Sequence, residues 1–205
     1  AISVVSVHPD VLTAADASAI AAMAEAEAAR RGQWSTARHK WYPTTDLNCY
    51  DIEEPLQPSV GESERFGSWW NRTMEPQVFA LLAQTFAVPI DSLYMKDLFV
   101  VKYDMKGQKY LPEHQDSSRL TFNIALSEPG SDFSGGGSRF VLSGRTVLNA
   151  KGSMLLHESG LFHAGKEITS GTRYILIGFV NVRNSCAVWY RSFGGVASCI
   201  SDQSV

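Results

Sequence analysis

No run of about 20 consecutive apolar residues occurs, so no segment reads as a helix long and greasy enough to cross a bilayer, and no membrane partner is expected. The start lacks the basic stretch followed by an apolar one that marks a signal peptide. The chain opens on Ala1 rather than Met, as expected of a processed or truncated polypeptide, and a removed leader fits that start. Basic runs are also missing. Lys and Arg number 18 against 21 Asp and Glu, a net charge of -3, which gives no electrostatic reason for a nucleic-acid partner. Cysteine is scarce: Cys49, Cys186 and Cys199 are too few for a disulfide scaffold, and their separations match no zinc pattern. One bridge between Cys186 and Cys199, or three plain thiols, are the two expectations. No internal repeat, linker or low-complexity tract interrupts the chain beyond one alanine-rich stretch, so a single domain over 1-205 is expected.

What is present suits a globular core, with 44% hydrophobic and 19% charged residues over 205 positions. A short β-like start, Ile2 to Val7, precedes a helix signal: Thr13 with Asp16 three residues on, alanine-rich sequence to Arg30 and Arg31, then Gly32 for the left-handed stop. Its Ile20, Met23 and Ala24 side is expected to pack on a sheet. From Gln33 the chain is aromatic and irregular, with Trp34, Trp41 and Tyr42 read as packing against the sheet in preference to lining a peptide groove, and alternation over Leu47 to Ile52 predicts a strand. Glu53 to Glu64 reads as a loop. A helical region follows from about Phe66 to Phe86, with Pro76 as a break or a second start. The glycosylation triplet Asn71-Arg72-Thr73 falls inside it and carries little weight.

After Leu98 the texture changes to short β-type runs between glycine and polar turns. The runs are Leu98 to Tyr103, Arg119 to Leu126, Ser138 to Leu142, Thr146 to Leu148, Ser153 to His157 and Arg173 to Val182. That spacing predicts a mainly β fold with flanking helices: a double-stranded β-helix, or jelly roll, over 98-183, a helical and irregular support region over 1-97, and a tail over 184-205.

The chemistry lies in the second half. In an extended strand His114 and Asp116 project to one face while Gln115 points away, so the pair can bind one metal from one side. One more distant histidine completes a facial triad with open positions, the arrangement associated with non-haem Fe(II) oxygenases. His157 and His163 both qualify. His163 is favoured because it opens a presumed β-turn-β unit whose return strand begins with Arg173, whereas His157 ends an apolar run like a packed residue. An Fe(II) enzyme using 2-oxoglutarate needs a buried cation for the far carboxylate, and arginine supplies it with two parallel hydrogen bonds. Gly135-Gly136-Gly137 lacks the lysine-serine ending of a phosphate loop and reads as a tight turn. Glu113 and Arg119 flank the metal pair as solvated or substrate-facing charges, and Asn123 is a candidate cosubstrate contact if it points inward.

These residues resemble a known family. Leu98-Phe99-Val100-Val101-Lys102-Tyr103, His114-Gln115-Asp116, Thr121 to Leu126, Asp132-Phe133 with Gly135-Gly136-Gly137 and Arg139-Phe140, and Gly171-Thr172-Arg173-Tyr174 are similar to the catalytic domain of procollagen lysyl hydroxylases. The prolyl 4-hydroxylases are more distant in the same superfamily. The likeness covers about 41-183 and includes nothing like the glycosyltransferase domains of the animal enzymes. It implies iron ligands His114, Asp116 and His163, with Arg173 and Tyr103 on the 2-oxoglutarate carboxylate.

It further implies Fe(II), 2-oxoglutarate and O2, with ascorbate as an accessory, and hydroxylation of an unactivated C–H bond with release of succinate and CO2. The expected substrate is a peptidyl lysine, with peptidyl proline or a small molecule as alternatives. The compartment implied is the secretory pathway, the cytoplasm being left open. The rivals are a cupin-type metalloenzyme without 2-oxoglutarate, against which Arg173 argues, and a binding module on the same fold.

Overall fold

The computed structural model describes residues 4-183. The proposed Cys186–Cys199 bridge and the C-terminal tail lie outside the described residues. Eleven strands form two antiparallel sheets. The larger joins β1 (Val5–His8), β9 (Met154–Glu158), β5 (Leu120–Ala125), β11 (Ile168–Val182), β3 (Leu93–Asp104) and β2 (Asp46–Asn48) in that spatial order, with β6 (Phe133–Gly135) on the start of β11. The smaller runs β4 (Leu111–His114), β10 (His163–Gly165), β7 (Ser138–Phe140), β8 (Thr146–Val147). This is the mainly β jelly roll with flanking helices. The first hundred residues do more than support it, because β1 and β2 extend the larger sheet at both ends.

Helix α1 (Ala14–Arg31) starts where the Thr13 hydroxyl accepts the Asp16 amide, and stops at Gly32 with φ 84°. Its Ala17, Ile20, Met23 and Ala24 are buried in one cluster with Leu98, Val100, Phe122, Ile124, Leu156 and Leu176 of the larger sheet. Alternation along β3 sends Phe99, Val101 and Tyr103 into a second cluster between the sheets. Glu27, fully buried on α1, accepts from Arg30 and Arg31 and from the amides of Glu53 and Glu54, which fastens the loop after β2 to the helix.

Three local expectations change. Leu47 to Ile52 is not one strand: β2 ends at Asn48, whose side chain accepts the Tyr50 amide and turns the chain into a 3-10 turn, Cys49–Asp51. The second helical region is α2 (Phe66–Trp69), a π-turn Trp70–Met74 and α3 (Glu75–Phe86), so the irregularity precedes Pro76, which occupies the first turn of α3. The return strand begins at Ile168, five residues before Arg173.

Gly178 on β11 is the cross-strand partner of Phe122 on β5. A Cβ there would lie 2.1 Å from the Phe122 ring, which itself stacks on Trp70 at 5.8 Å.

Candidate metal and cosubstrate site

His114 ends β4 and His163 opens β10, and the two are direct cross-strand partners. Each ring is fixed the same way. The Nδ1–H of His114 donates to the Pro112 carbonyl at 2.8 Å and that of His163 to the Leu161 carbonyl at 2.9 Å, leaving both Nε2 lone pairs inward. Asp116 lies two residues past the end of β4, so the extended strand expected through the pair stops at His114. Its amide donates to Ser159 O at 2.9 Å. One of its oxygens is 3.5 Å from His114 Nε2 and the other 3.6 Å from His163 Nε2.

Burial alone would raise the Asp116 pKa. The contact with His114, the neighbouring His163 and His157, and the Thr121 hydroxyl outweigh it and hold the group below its ordinary value. Burial depresses the His163 pKa, which favours neutral imidazole. Two imidazole lone pairs and one carboxylate, their ligand atoms all within 4.8 Å of one another, fit a divalent metal held from one face.

His157 stands beside this group. It is fully buried on β9, its Nδ1–H donates to the Glu158 carbonyl, and its Nε2 has no hydrogen-bond partner among the described residues while lying 3.9 Å from Asp116 Oδ2. Its ring packs edge-on against Phe140 and His163, and burial pushes its pKa down to about 4.

Arg173 and Tyr103 are direct partners across β11 and β3, with the guanidinium 5.5 Å from the phenol ring centre. Arg173 is 4% exposed and has no ion-pair partner among the described residues. Burial lowers its pKa, opposed by Tyr103, while burial raises that of Tyr103. The two line a narrow inner cavity with His114, Asp116, Thr121, Asn123, His157, His163 and Ile175. Asn123 does point inward, and its Oδ1 has no hydrogen-bond partner among the described residues. Gly165 faces the Tyr103 hydroxyl so closely that a Cβ would come within 2.9 Å of it. The triple glycine is a turn between β6 and β7, with φ between 71° and 100° at all three positions. An unpaired buried guanidinium costs several kcal/mol unless an anion meets it, and a carboxylate reaching in from the metal side would do so.

A wider outer cavity of about 510 Å³ opens on the other side of His114 and Asp116. Arg38 to Tyr42 and Thr44 form one wall, and Phe99, Ile177 and Phe179 another. The wall segment is pinned where Gln108 donates to Pro43 O and accepts from the Thr45 amide. Arg38 is neutralised by Asp46 at 2.6 Å and both Asp97 oxygens at 2.8 Å. Trp34 does pack on the core beside Tyr174, but Trp41 does not: it is 80% exposed with Lys40 over its ring, and Tyr42 sits 5.3 Å from the His114 ring. Glu113 pairs with Arg139 in solvent, and Arg119 is also exposed. Thr121, Ser159 and Arg38 escaped the sequence reading. Of these only Thr121 gave a signal, sharing a strand face with Asn123.

No protein-family model matches the chain. It is 44% identical over 150 residues to the procollagen lysyl hydroxylase and glycosyltransferase of Acanthamoeba polyphaga mimivirus, covering 68% of this chain and 14% of that protein. Over 162 residues it is 43% identical to procollagen-lysine,2-oxoglutarate 5-dioxygenase 1 of Rattus norvegicus, 73% of this chain and 21% of that one. The chain thus spans about a fifth or less of these relatives' length. Among solved structures, a Pseudomonas putida prolyl-4-hydroxylase superposes with TM-score 0.61 at 16% identity, covering 89% of this chain and 94% of the other. The collagen prolyl hydroxylase of Paramecium bursaria Chlorella virus-1, in its 2-oxoglutarate complex, does so with TM-score 0.58 at 14% identity, covering 86% and 94%. These structural likenesses bear on the fold.

Proposed function

We propose that this chain, a member of the Fe(II)- and 2-oxoglutarate-dependent dioxygenases similar to the procollagen lysyl hydroxylase catalytic domain, hydroxylates a peptidyl lysine, releasing succinate and CO2. The observation that carries the cosubstrate assignment is Arg173, a buried cation without a carboxylate, in the same cavity as His114, Asp116 and His163.

In this reading His114, Asp116 and His163 hold Fe(II), which when bound supplies the redox chemistry that couples O2 and 2-oxoglutarate to C–H oxidation. Arg173 takes the far carboxylate by two parallel N–H donors, and Tyr103 offers its phenol O–H beside it. Burial keeps that phenol protonated and therefore a donor. Asn123 borders the same cavity and its amide can turn to give Nδ2 or Oδ1. Phe99, Ile175, Ile177 and Phe179 keep the space between anchor and mouth apolar. The outer cavity receives the substrate, with Tyr42 against His114 and Trp41 at the rim offering flat apolar contact to a polypeptide. The lysine assignment draws on the identity to lysyl hydroxylases.

The test is succinate formation with Fe(II), 2-oxoglutarate and O2 against lysine peptides, proline peptides and free amino acids. Stimulation by lysine peptides above the other two is expected. Stimulation by proline peptides or free amino acids instead would replace the substrate, and no succinate under any condition would remove the activity.

A further inference from the structure

Three hydroxyls run in file behind Asp116. Thr121 Oγ1 donates to Asp116 Oδ2 at 2.6 Å, Thr121 and Ser159 hydroxyls are 2.8 Å apart, and Ser159 and Ser118 hydroxyls are again 2.8 Å apart. Ser118 also lies 3.1 Å from the Leu120 carbonyl. Four contacts must therefore share three hydroxyl hydrogens. An ionised carboxylate only accepts, so Thr121 spends its hydrogen on Asp116. Ser118 donates to the Leu120 carbonyl, so the one hydrogen left, that of Ser159, goes to Thr121 or to Ser118, either of which accepts it. With its hydrogen on Thr121, Ser159 polarises that hydroxyl toward the carboxylate and strengthens its bond to Asp116.

Ser159 is also tied through its backbone. Its carbonyl accepts the Asp116 amide and its amide donates to Arg119 O, while Gln115 donates to the Gly160 carbonyl at 2.6 Å. Thr121 and Ser159 are buried. The segment that presents Asp116 is thereby fastened to the turn that leads into His163, so the carboxylate and the second imidazole share one scaffold.

We propose that Thr121 and Ser159 are positioning residues of the metal centre, which hold Asp116 in its ligating rotamer and in register with His163. The proposal rests on the metal-binding reading above. A carboxylate freed from this file keeps its charge but gains rotamers, and the loss appears as weaker metal binding. Hydrogen-bonding partners behind metal ligands typically contribute 10- to 100-fold in affinity.

The experiment titrates the metal-free chain with Mn(II), following free Mn(II) by electron paramagnetic resonance, without 2-oxoglutarate or turnover. Thr121→Val keeps the shape and removes the hydroxyl, and should weaken binding by about 10- to 100-fold. Thr121→Ser restores the hydroxyl and should return affinity to near that of the unsubstituted chain. Ser159→Ala should weaken binding in the same direction, and it carries the test alone if Thr121→Val does not fold. Equal affinity in all four proteins overturns the proposal and leaves the functional reading standing. Equal weakness of Thr121→Ser and Thr121→Val also overturns it, since shape and not the hydroxyl would then be responsible. An unsubstituted chain that binds no Mn(II) overturns both.

Discussion

His163 and His114 occupy the same rung of the antiparallel ladder between β10 and β4, with ring centres 4.3 Å apart. Strand pairing therefore closes a separation of 49 positions, and the two metal-facing nitrogens come together because the backbone register places them so.

That pairing makes the two remaining histidine variants diagnostic. His163→Ala removes the rung partner and is expected to abolish Fe(II)-dependent succinate formation. His157→Ala is expected largely to spare it when assayed below its melting temperature, which should fall because a buried ring is lost from between Phe140 and His163. Equal loss of activity in both would overturn the assignment of the third ligand to His163 over His157, whose Nε2 is only 3.9 Å from Asp116.

Arg173→Ala should leave metal binding intact and raise the 2-oxoglutarate requirement steeply. A buried charge-assisted carboxylate pair is worth roughly 2 to 5 kcal/mol, and each 1.4 kcal/mol is about tenfold. The apparent KM for 2-oxoglutarate measures this directly. An unchanged value would mean that another residue, with Tyr103 the nearest candidate, holds the carboxylate.

Acid should unfasten the loop at 53-54 from α1. The Arg30 contact is the largest influence on Glu27, and with Arg31 and the Glu54 amide it brings the carboxyl from its ordinary 4.5 to about 2 despite burial. A depressed folded-state pKa means stability present above pH 4.5 and lost as pH falls toward 2. The contribution is on the order of 2 to 3 kcal/mol at most, and smaller to the extent that water screens Arg30 and Arg31, which are 40% and 34% exposed. Urea unfolding of the unsubstituted chain and of Glu27→Gln at pH 6 and pH 3 should show the gap between them narrowing at the lower pH. A constant gap would remove Glu27 from the acid response.

Gly178→Ala should destabilise the fold by about 1 to 3 kcal/mol or more, because its methyl would meet the Phe122 ring and drive it toward Trp70. Thermal melting reads the change. Phe122→Leu in the same background should recover part of the loss, and a melting temperature unmoved by Gly178→Ala would show that the ring has room to withdraw.

The parts legible in the sequence were those written in local code. Thr13, Asp16 and Gly32 bracket α1 at its true ends, the apolar run from Leu98 marks β3, and alternation along β5 sets Asn123 on the face opposite Phe122 and Ile124. His114, Asp116 and His163 were legible as residue types at a spacing, although the short strands β4 and β10 that carry two of them give almost no periodic signal. Arg38 and Ser159 were not legible. Arg38 gains its setting only when Asp46 and Asp97 meet it from two strands, and Ser159 acts through backbone groups that have no letter of their own. Trp41 misled for a related reason: an aromatic residue in an irregular stretch reads as core, yet nothing local says which side of the wall it takes.

One strand borders both cavities. Arg173, Ile175, Ile177 and Phe179 alternate along β11, the first three bordering the inner cavity and the last two the outer. At about 3.3 Å per residue, Arg173 and Ile177, where the two cavities meet, stand about 13 Å apart along the strand. β11 thus carries the buried cation and the apolar wall of the outer cavity on one ladder, and a slip of its register against β3 or β5 would displace both together.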